Sequence, residues 1–204
     1  MVGQDIAEQL HVSPRLVIVA GFAGSGKSEF GQALASMLGA AYLDKDTITL
    51  PLAEEILLQL GCSPHDRDST TYRAHVRPLE YEALLAVARE NIQCGVTAIV
   101  SAPFLLEVID DSWLDDLRLE VESEGAALDI VWVTATADDM RRNTTKRGAE
   151  RDHWKLSHWD EYIGSIDLDM RPTQKHTLVV NDGLFSSLLN QASVLAAALA
   201  IKES

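Results

Sequence analysis

Cysteine is nearly absent. Cys62 and Cys94 are the only two in 204 residues, and they lack the C-x-x-C spacing of a thiolate metal site. Neither a disulfide framework nor a cysteine-bound zinc is indicated, and both residues are read as plain thiols. Basic residues are also in deficit, with 17 Lys and Arg against 31 Asp and Glu for a net charge of −14. That sign opposes long-range attraction to DNA, RNA or an anionic membrane surface, so no nucleic-acid partner is expected. Long hydrophobic runs are missing too: nothing approaches the roughly 18 to 20 apolar residues of a membrane span. Asp5 and Glu8 stand where a signal peptide would be basic and then apolar. No membrane association is expected, and the location expected is cytoplasmic. Without internal repeats or low-complexity segments, the length fits one core rather than two, so residues 1–204 are taken as a single domain.

What is present is an alternation of short β-branched apolar stretches with longer segments of helical period, the pattern of a parallel sheet covered by helices. The expected strands are Leu16 to Ala20, Ala41 to Leu43, Thr97 to Ser101, Leu128 to Thr134 and Thr177 to Val180. Helical spacing links Phe30, Leu34, Ala35 and Leu38, then Tyr81, Leu84, Leu85, Ala88 and Ile92, and runs from Leu188 to Ile201. Two stretches break the pattern, Gly61 to Thr71 and Arg147 to Trp159, and both read as mobile loops or lids.

Directly after the first strand comes Gly21-Phe22-Ala23-Gly24-Ser25-Gly26-Lys27-Ser28, which fits glycine, four residues, glycine, lysine and then serine or threonine. Such a loop turns tightly, aims successive N–H groups into one concavity and opens onto the positive end of a helix, so it is suited to a polyphosphate. Lys27 would reach the β- and γ-phosphates of ATP, Ser28 would offer its hydroxyl to Mg2+, and the nucleotide-binding run extends to Glu29. A dinucleotide fingerprint fails, because Glu29 stands where a third glycine or alanine is required.

The second strand ends in Leu43-Asp44-Lys45-Asp46, on the sheet edge that carries the phosphate loop. Asp44 is assigned to support the hydrated Mg2+, and Asp46 to accept a hydrogen bond and then the proton from an acceptor hydroxyl. The plainer alternative is that Asp46 only caps a helix beginning near Thr47.

The order strand, phosphate loop, helix and then "YLDKDTI" resembles the small P-loop kinases related to shikimate kinase, gluconate kinase, chloramphenicol phosphotransferase and the zeta-toxin kinases. The similarity covers about residues 15 to 183 and is motif-level beyond the first 50. It implies a five-stranded parallel sheet of order 2-3-1-4-5 and an ATP-dependent transfer of the γ-phosphoryl group to a small-molecule hydroxyl. It also carries the base role to Asp46 and the magnesium role to Asp44. A nucleotide or nucleotide-sugar kinase, toxin-like, and a non-kinase regulatory switch remain as alternatives.

The segment Asp138-Asp139-Met140-Arg141-Arg142, followed by Arg147 and Arg151, looks like the family's helix leading into a basic lid at about 147–159. Arg142 and Arg151 are assigned to the nucleotide and Arg147 to the transferring phosphoryl group, with a solvated helix face as the alternative and Asp138 as an i,i+4 partner for Arg142. Arg67, Arg73 and Arg77 fall in the acceptor-side segment, about 61–80. Arg73 and Arg77, four apart, would clamp an acidic acceptor, and Phe104 after the third strand is counted with that side; ordinary surface arginines are the alternative. Ser101 occupies the place where many P-loop proteins put a second magnesium-site aspartate, a departure that weakens a motor-ATPase reading. His153 and His158, five apart, do not share a helical face and are not assigned a metal. Asn181-Asp182-Gly183 reads either as a turn or, by the resemblance, as an adenine-contacting loop. A monomer or weak homodimer is expected.

Overall fold

The computed structural model describes residues 13–201. Five strands, β1 (Arg15–Ala20), β2 (Ala41–Asp44), β3 (Ala98–Ser101), β4 (Ala127–Ala135) and β5 (Thr177–Asn181), form one sheet in the order β2-β3-β1-β4-β5. Every pairing is parallel. This is the expected order, and each strand lies within a residue of its expected span.

The helices are α1 (Lys27–Leu38), α2 (Lys45–Gln59), α3 (Arg77–Gln93), α4 (Asp111–Ser123), α5 (Ala137–Arg147), α6 (His153–Ser157), α7 (Trp159–Gly164) and α8 (Phe185–Ile201). Side-chain alternation along the strands sends β1 into two separate cores. Leu16, Ile18 and Ala20 join Val100, Ile130 and Trp132 under Leu84, Ala88, Leu114 and Leu117 from α3 and α4. Val17 and Val19 join Ile99, Val131 and Val133 under Phe30 and Leu34 of α1 and Leu188, Ala192 and Leu199 of α8. A satellite cluster of Ala53, Leu57, Tyr72 and Val76 ties α2 to a π-helical turn, Tyr72–Val76, that leads into α3.

Three expectations need correction. Helix α4 was not anticipated, although Asp110 caps Trp113 N and Leu114, Leu117 and Val121 recur at helical spacing. Helix α2 begins at Lys45 rather than near Thr47, and its cap is Asp44, whose Oδ1 accepts from Thr47 N (3.1 Å). The stretch Arg147 to Trp159 is not a loop: it folds into a 3-10 turn (Glu150–Asp152) and short helices, and Trp159 and Tyr162 pack into the α3/α4 core. Among the described residues no helix is long and apolar enough to cross a membrane.

Leu34, with no exposed surface, fills the layer between β1, β3 and α8. Truncation of Leu34 to alanine is expected to lower unfolding free energy by about 2–5 kcal/mol, read from the urea midpoint at constant slope.

Candidate active site

The phosphate loop crosses the carboxyl end of β1, where parallel strands present their loops to one crevice. Gly24 has φ 79° and Gly26 has φ 96°, a left-handed region that other residues rarely enter. Space demands glycine there as well. A Cβ on Gly24 would stand 2.5 Å from both Met140 O and Thr144 Oγ1 of α5, and one on Gly26 would collide with the Asn181 amide. Two side-chain amides fasten the loop from those directions: Asn143 Nδ2 donates to Gly24 O (2.9 Å) and Asn181 Nδ2 to Ser25 O (3.0 Å). Asn181 also accepts from Gly183 N (3.0 Å), so the end of β5 both turns the chain and holds the phosphate loop. From sequence Asn181 was read only as part of a turn or an adenine-contacting loop, and Asn143 was not singled out; a lone asparagine carries no spacing signal.

Lys27 folds over the loop, its Nζ donating to Phe22 O (3.0 Å). Burial, aided by the Arg147 charge and opposed by Asp46, Asp44 and Glu29, lowers its pKa to about 8. A cavity of about 310 Å3 is lined by Gly24, Gly26, Lys27, Ser28, Glu29, Asn143, Lys146 and Arg147. Lys146 is a further cation of this cavity that the sequence reading passed over. A larger cleft of about 410 Å3 lies between β5 and α8, but its lining contains no ionisable side chain. The chemistry of the donors, rather than volume, picks out the phosphate-loop cavity.

Asp44 and Asp46 diverge in role at the end of β2. Asp44 spends Oδ1 on capping α2, while Oδ2 lies 3.4 Å from the Tyr42 hydroxyl, which burial pushes up to about 12 and so keeps as a proton donor. Ser101 and Ser28 also face that hydroxyl and oppose the shift. Asp46 sits in the first turn of α2, its Oδ1 3.0 Å from Lys45 Nζ and its Oδ2 2.7 Å from Arg151 Nη2. Burial works against ionisation of Asp46, but Lys45, Arg151 and Arg147 outweigh it and hold the carboxyl below the usual carboxylate range.

The donors here fit a magnesium ion: the Ser28 hydroxyl and the Asp44 carboxylate are hard oxygen ligands. Among the described residues no group of three His, Cys, Asp or Glu side chains is arranged to hold a metal alone. An ion at Ser28 and Asp44 would therefore draw on phosphate oxygens and water.

Lys27, Asp44, Asp46, Arg147 and Arg151 thus converge. Arg147 is itself steered by Asp152, a carboxylate 1% exposed that accepts from Nε (2.9 Å) and Nη2 (2.5 Å). Arg142 pairs with Asp139, not with Asp138, and lies against Gly183. Arg151, assigned to the nucleotide, instead grips Asp46.

The acceptor-side assignments fare less well. Arg77 is bound to Glu107 (2.8 Å) and lies 4.2 Å from the Tyr81 ring centroid, while Arg73 is exposed on the π-helical turn, so the two do not form a clamp. Arg67 turns back onto Pro64 O and Asp66 O. Phe104 has no exposed surface; it packs on Tyr81 and Trp113 and cannot touch a ligand. Its φ of 49° is strained for a bulky side chain, and its N–H is held by the Tyr81 hydroxyl (3.3 Å). The neighbouring Pro103 O accepts from Gly21 N (3.2 Å), so this strained turn braces the start of the phosphate loop.

Comparison with known proteins agrees with this geometry. The sequence pattern of a family described as an AAA domain matches residues 16–168. The chain belongs to that family. A shikimate kinase of Geobacter metallireducens is 36% identical over 92 residues, 44% of this AAA-domain chain, and the match spans 48% of that relative's length. Three solved structures share the fold: a sugar kinase from Janibacter sp. (16% identity, TM-score 0.58, 94% of this chain and 98% of that one), a gluconokinase from Sinorhizobium meliloti (18%, 0.52, 94% and 98%) and the Mycobacterium tuberculosis APS kinase in complex with AMPPNP and APS (20%, 0.58, 92% and 98%).

One pH dependence follows from Lys27. It is cationic below its pKa and neutral above it, and a bound polyanion favours the cation. Affinity for ATP without divalent ions is therefore expected to fall as pH rises through about 8, measured by calorimetric titration. A flat profile there would remove Lys27 from the phosphate site.

Proposed function

We propose that this AAA-domain protein is an ATP-dependent phosphotransferase that moves the γ-phosphoryl group of Mg·ATP to a hydroxyl of a small molecule. The observation that carries the reading is the position of Asp46: a carboxylate held on the crevice edge of the sheet, beside the phosphate-loop lysine and flanked by two arginines of the 147–159 segment. A kinase must orient and deprotonate its acceptor, and an anchored carboxylate at the mouth of the phosphate loop suits that task. The kinase names of the shikimate kinase relative and of the similar folds point the same way.

In this reading the acceptor oxygen forms the new O–P bond and the bond from γ-phosphorus to the β-bridging oxygen breaks. Its electron pair leaves with ADP, and the hydroxyl proton passes to Asp46. Magnesium, held by Ser28 and Asp44, would neutralise charge on the β- and γ-oxygens. Lys27 and Arg147 stabilise charge on the moving phosphoryl group, and Arg142 beside Gly183 flanks the adenine end. Arg151 gives up Asp46 when the acceptor hydroxyl arrives. Residues 147–159 serve as the lid and residues 61–80 as the acceptor side.

The test is ADP formation across sugars, hydroxy acids, antibiotics, nucleosides and nucleotide sugars, with mass spectrometry of each product. Acceptor-dependent ADP and a product heavier by one phosphoryl group are expected, and Asp46→Asn is expected to lower kcat by about 10²-fold or more with ATP binding retained. ADP formed equally without acceptor would defeat the reading. Arg147→Ala is expected to reduce kcat more than ATP affinity, because charge on the moving group peaks in the transition state; a loss confined to affinity would assign Arg147 to ground-state binding.

A further inference from the structure

Between the phosphate loop and the acceptor side lies a buried ionic cluster that the steps above do not use. Lys45 and Glu80 have side chains only 7% and 2% exposed and pair at 2.7 Å. Glu80 is saturated with donors: Oε1 also accepts from Thr49 Oγ1 (3.1 Å), and Oε2 accepts from the Tyr72 hydroxyl (2.6 Å). Thr49 Oγ1 also lies 2.8 Å from Lys45 O, and its single proton is shared between that carbonyl and Glu80.

Neither stability nor helix formation accounts for this cluster. A buried ion pair seldom repays the loss of hydration of its two charges and is often replaceable by apolar residues without loss. Lys45 is also the first residue of α2, where the helix dipole disfavours a cation. What the arrangement does achieve is geometric. Lys45 Nζ reaches past Glu80 to Asp46 Oδ1 (3.0 Å), so one oxygen of the carboxylate is tied to an immobile, fully packed donor. The other, Oδ2, meets the guanidinium of Arg151, which comes from a segment distant in sequence.

We propose that Lys45 is a positioning residue that fixes the Asp46 carboxylate, and that Glu80 and Tyr72 hold Lys45 in register with the acceptor-side segment. Oδ1 is the anchored oxygen, and Oδ2 is the one presented to the acceptor hydroxyl once Arg151 moves aside. Tyr72 belongs to the π-helical turn that follows residues 61–71, so the line Tyr72, Glu80, Lys45, Asp46 links acceptor-side backbone to the base through four side chains. This rests on the kinase reading for its catalytic consequence, though not for its structural one.

The decisive variant is Lys45→Met combined with Glu80→Gln, which leaves no uncompensated buried charge and is expected to fold even if Lys45→Met alone does not. With the acceptor found for the wild-type enzyme, the double variant is expected to bind ATP within about twofold of wild type and to lose about 10²-fold in kcat, the scale of a displaced reacting group. Its crystal structure is expected to show the Asp46 carboxylate rotated from the wild-type position. An unchanged kcat, a loss confined to ATP affinity, or an unmoved Asp46 would each overturn the assignment. If the wild-type protein forms no product with any acceptor, the kinase reading has failed on its own, and the position of Asp46 in the two crystal structures still decides the role of Lys45.

Discussion

Two carbonyls of the phosphate loop, Gly24 O and Ser25 O, are held by side-chain amides that arrive from opposite directions, Asn143 on α5 and Asn181 at the end of β5. The rest of the site depends on this clamp. A glycine-rich loop has unusually high backbone entropy to lose on ordering. A loop that must receive several phosphate oxygens on its N–H groups gains most if that loss is met before the ligand arrives. Fixing the loop by its carbonyls consumes none of its amide N–H groups, of which Gly21 N and Ser25 N are bonded separately to Pro103 O and Phe22 O. The bracing has a second effect: α5 is drawn so close that only glycine fits at position 24. Arg147 and Arg151, which end and follow that helix, are thereby set over the same crevice.

Legibility in the sequence divides along a physical line. Strands β1 and β3, buried on both faces, have no choice but continuous apolar composition, whereas the partly exposed β2 and β5 were visible as short apolar runs alternating with helical segments, and a loop that wraps phosphate must repeat glycine at set positions. Contacts between side chains far apart in the chain leave no such periodic trace. The links from Arg151 to Asp46, from Asn143 to Gly24 and from Glu80 to Lys45 span 105, 119 and 35 residues. Each is made by a residue type that is common on any surface. The assignments that failed, Phe104 and the paired Arg73 and Arg77, rested on their place in the expected topology and, for the arginines, on helical spacing. The backbone then broke that spacing with a π-helical turn and a left-handed phenylalanine.

The neighbouring pair Asp44 and Asp46 shows how one helix start sorts two like residues. Asp44 is outside the helix with extended φ and ψ, so it caps, and its remaining oxygen is turned towards the Tyr42 hydroxyl, which Ser28 and Ser101 also face. Asp46 is already helical and projects from the first turn in another direction, where Lys45 and Arg151 meet it. A two-residue offset at a strand-to-helix junction therefore separates a capping carboxylate from one gripped by two cations, the division that the proposed metal and acceptor roles would need. Ser101 at the end of β3 is compatible with this division, because the hydroxyl cluster around Tyr42 supplies polar groups where an aspartate is often found.

Charge balance at the crevice explains why so acidic a chain can still hold a polyanion. The net charge of −14 is a property of the whole surface and is screened over about 8–10 Å in physiological salt. Lys27, Lys146 and Arg147 line one cavity, with Arg151 beside it on Asp46, and Arg147 is close enough to help lower the pKa of Lys27. Such mutual repulsion is unfavourable in the empty site and is relieved when phosphate enters. Asp46 and Asp152 hold two of these cations apart in the meantime. Exchange of a protein carboxylate for a phosphate oxygen keeps the local charge nearly constant, so ligand entry needs only a rotation of arginine side chains already held over the phosphate loop.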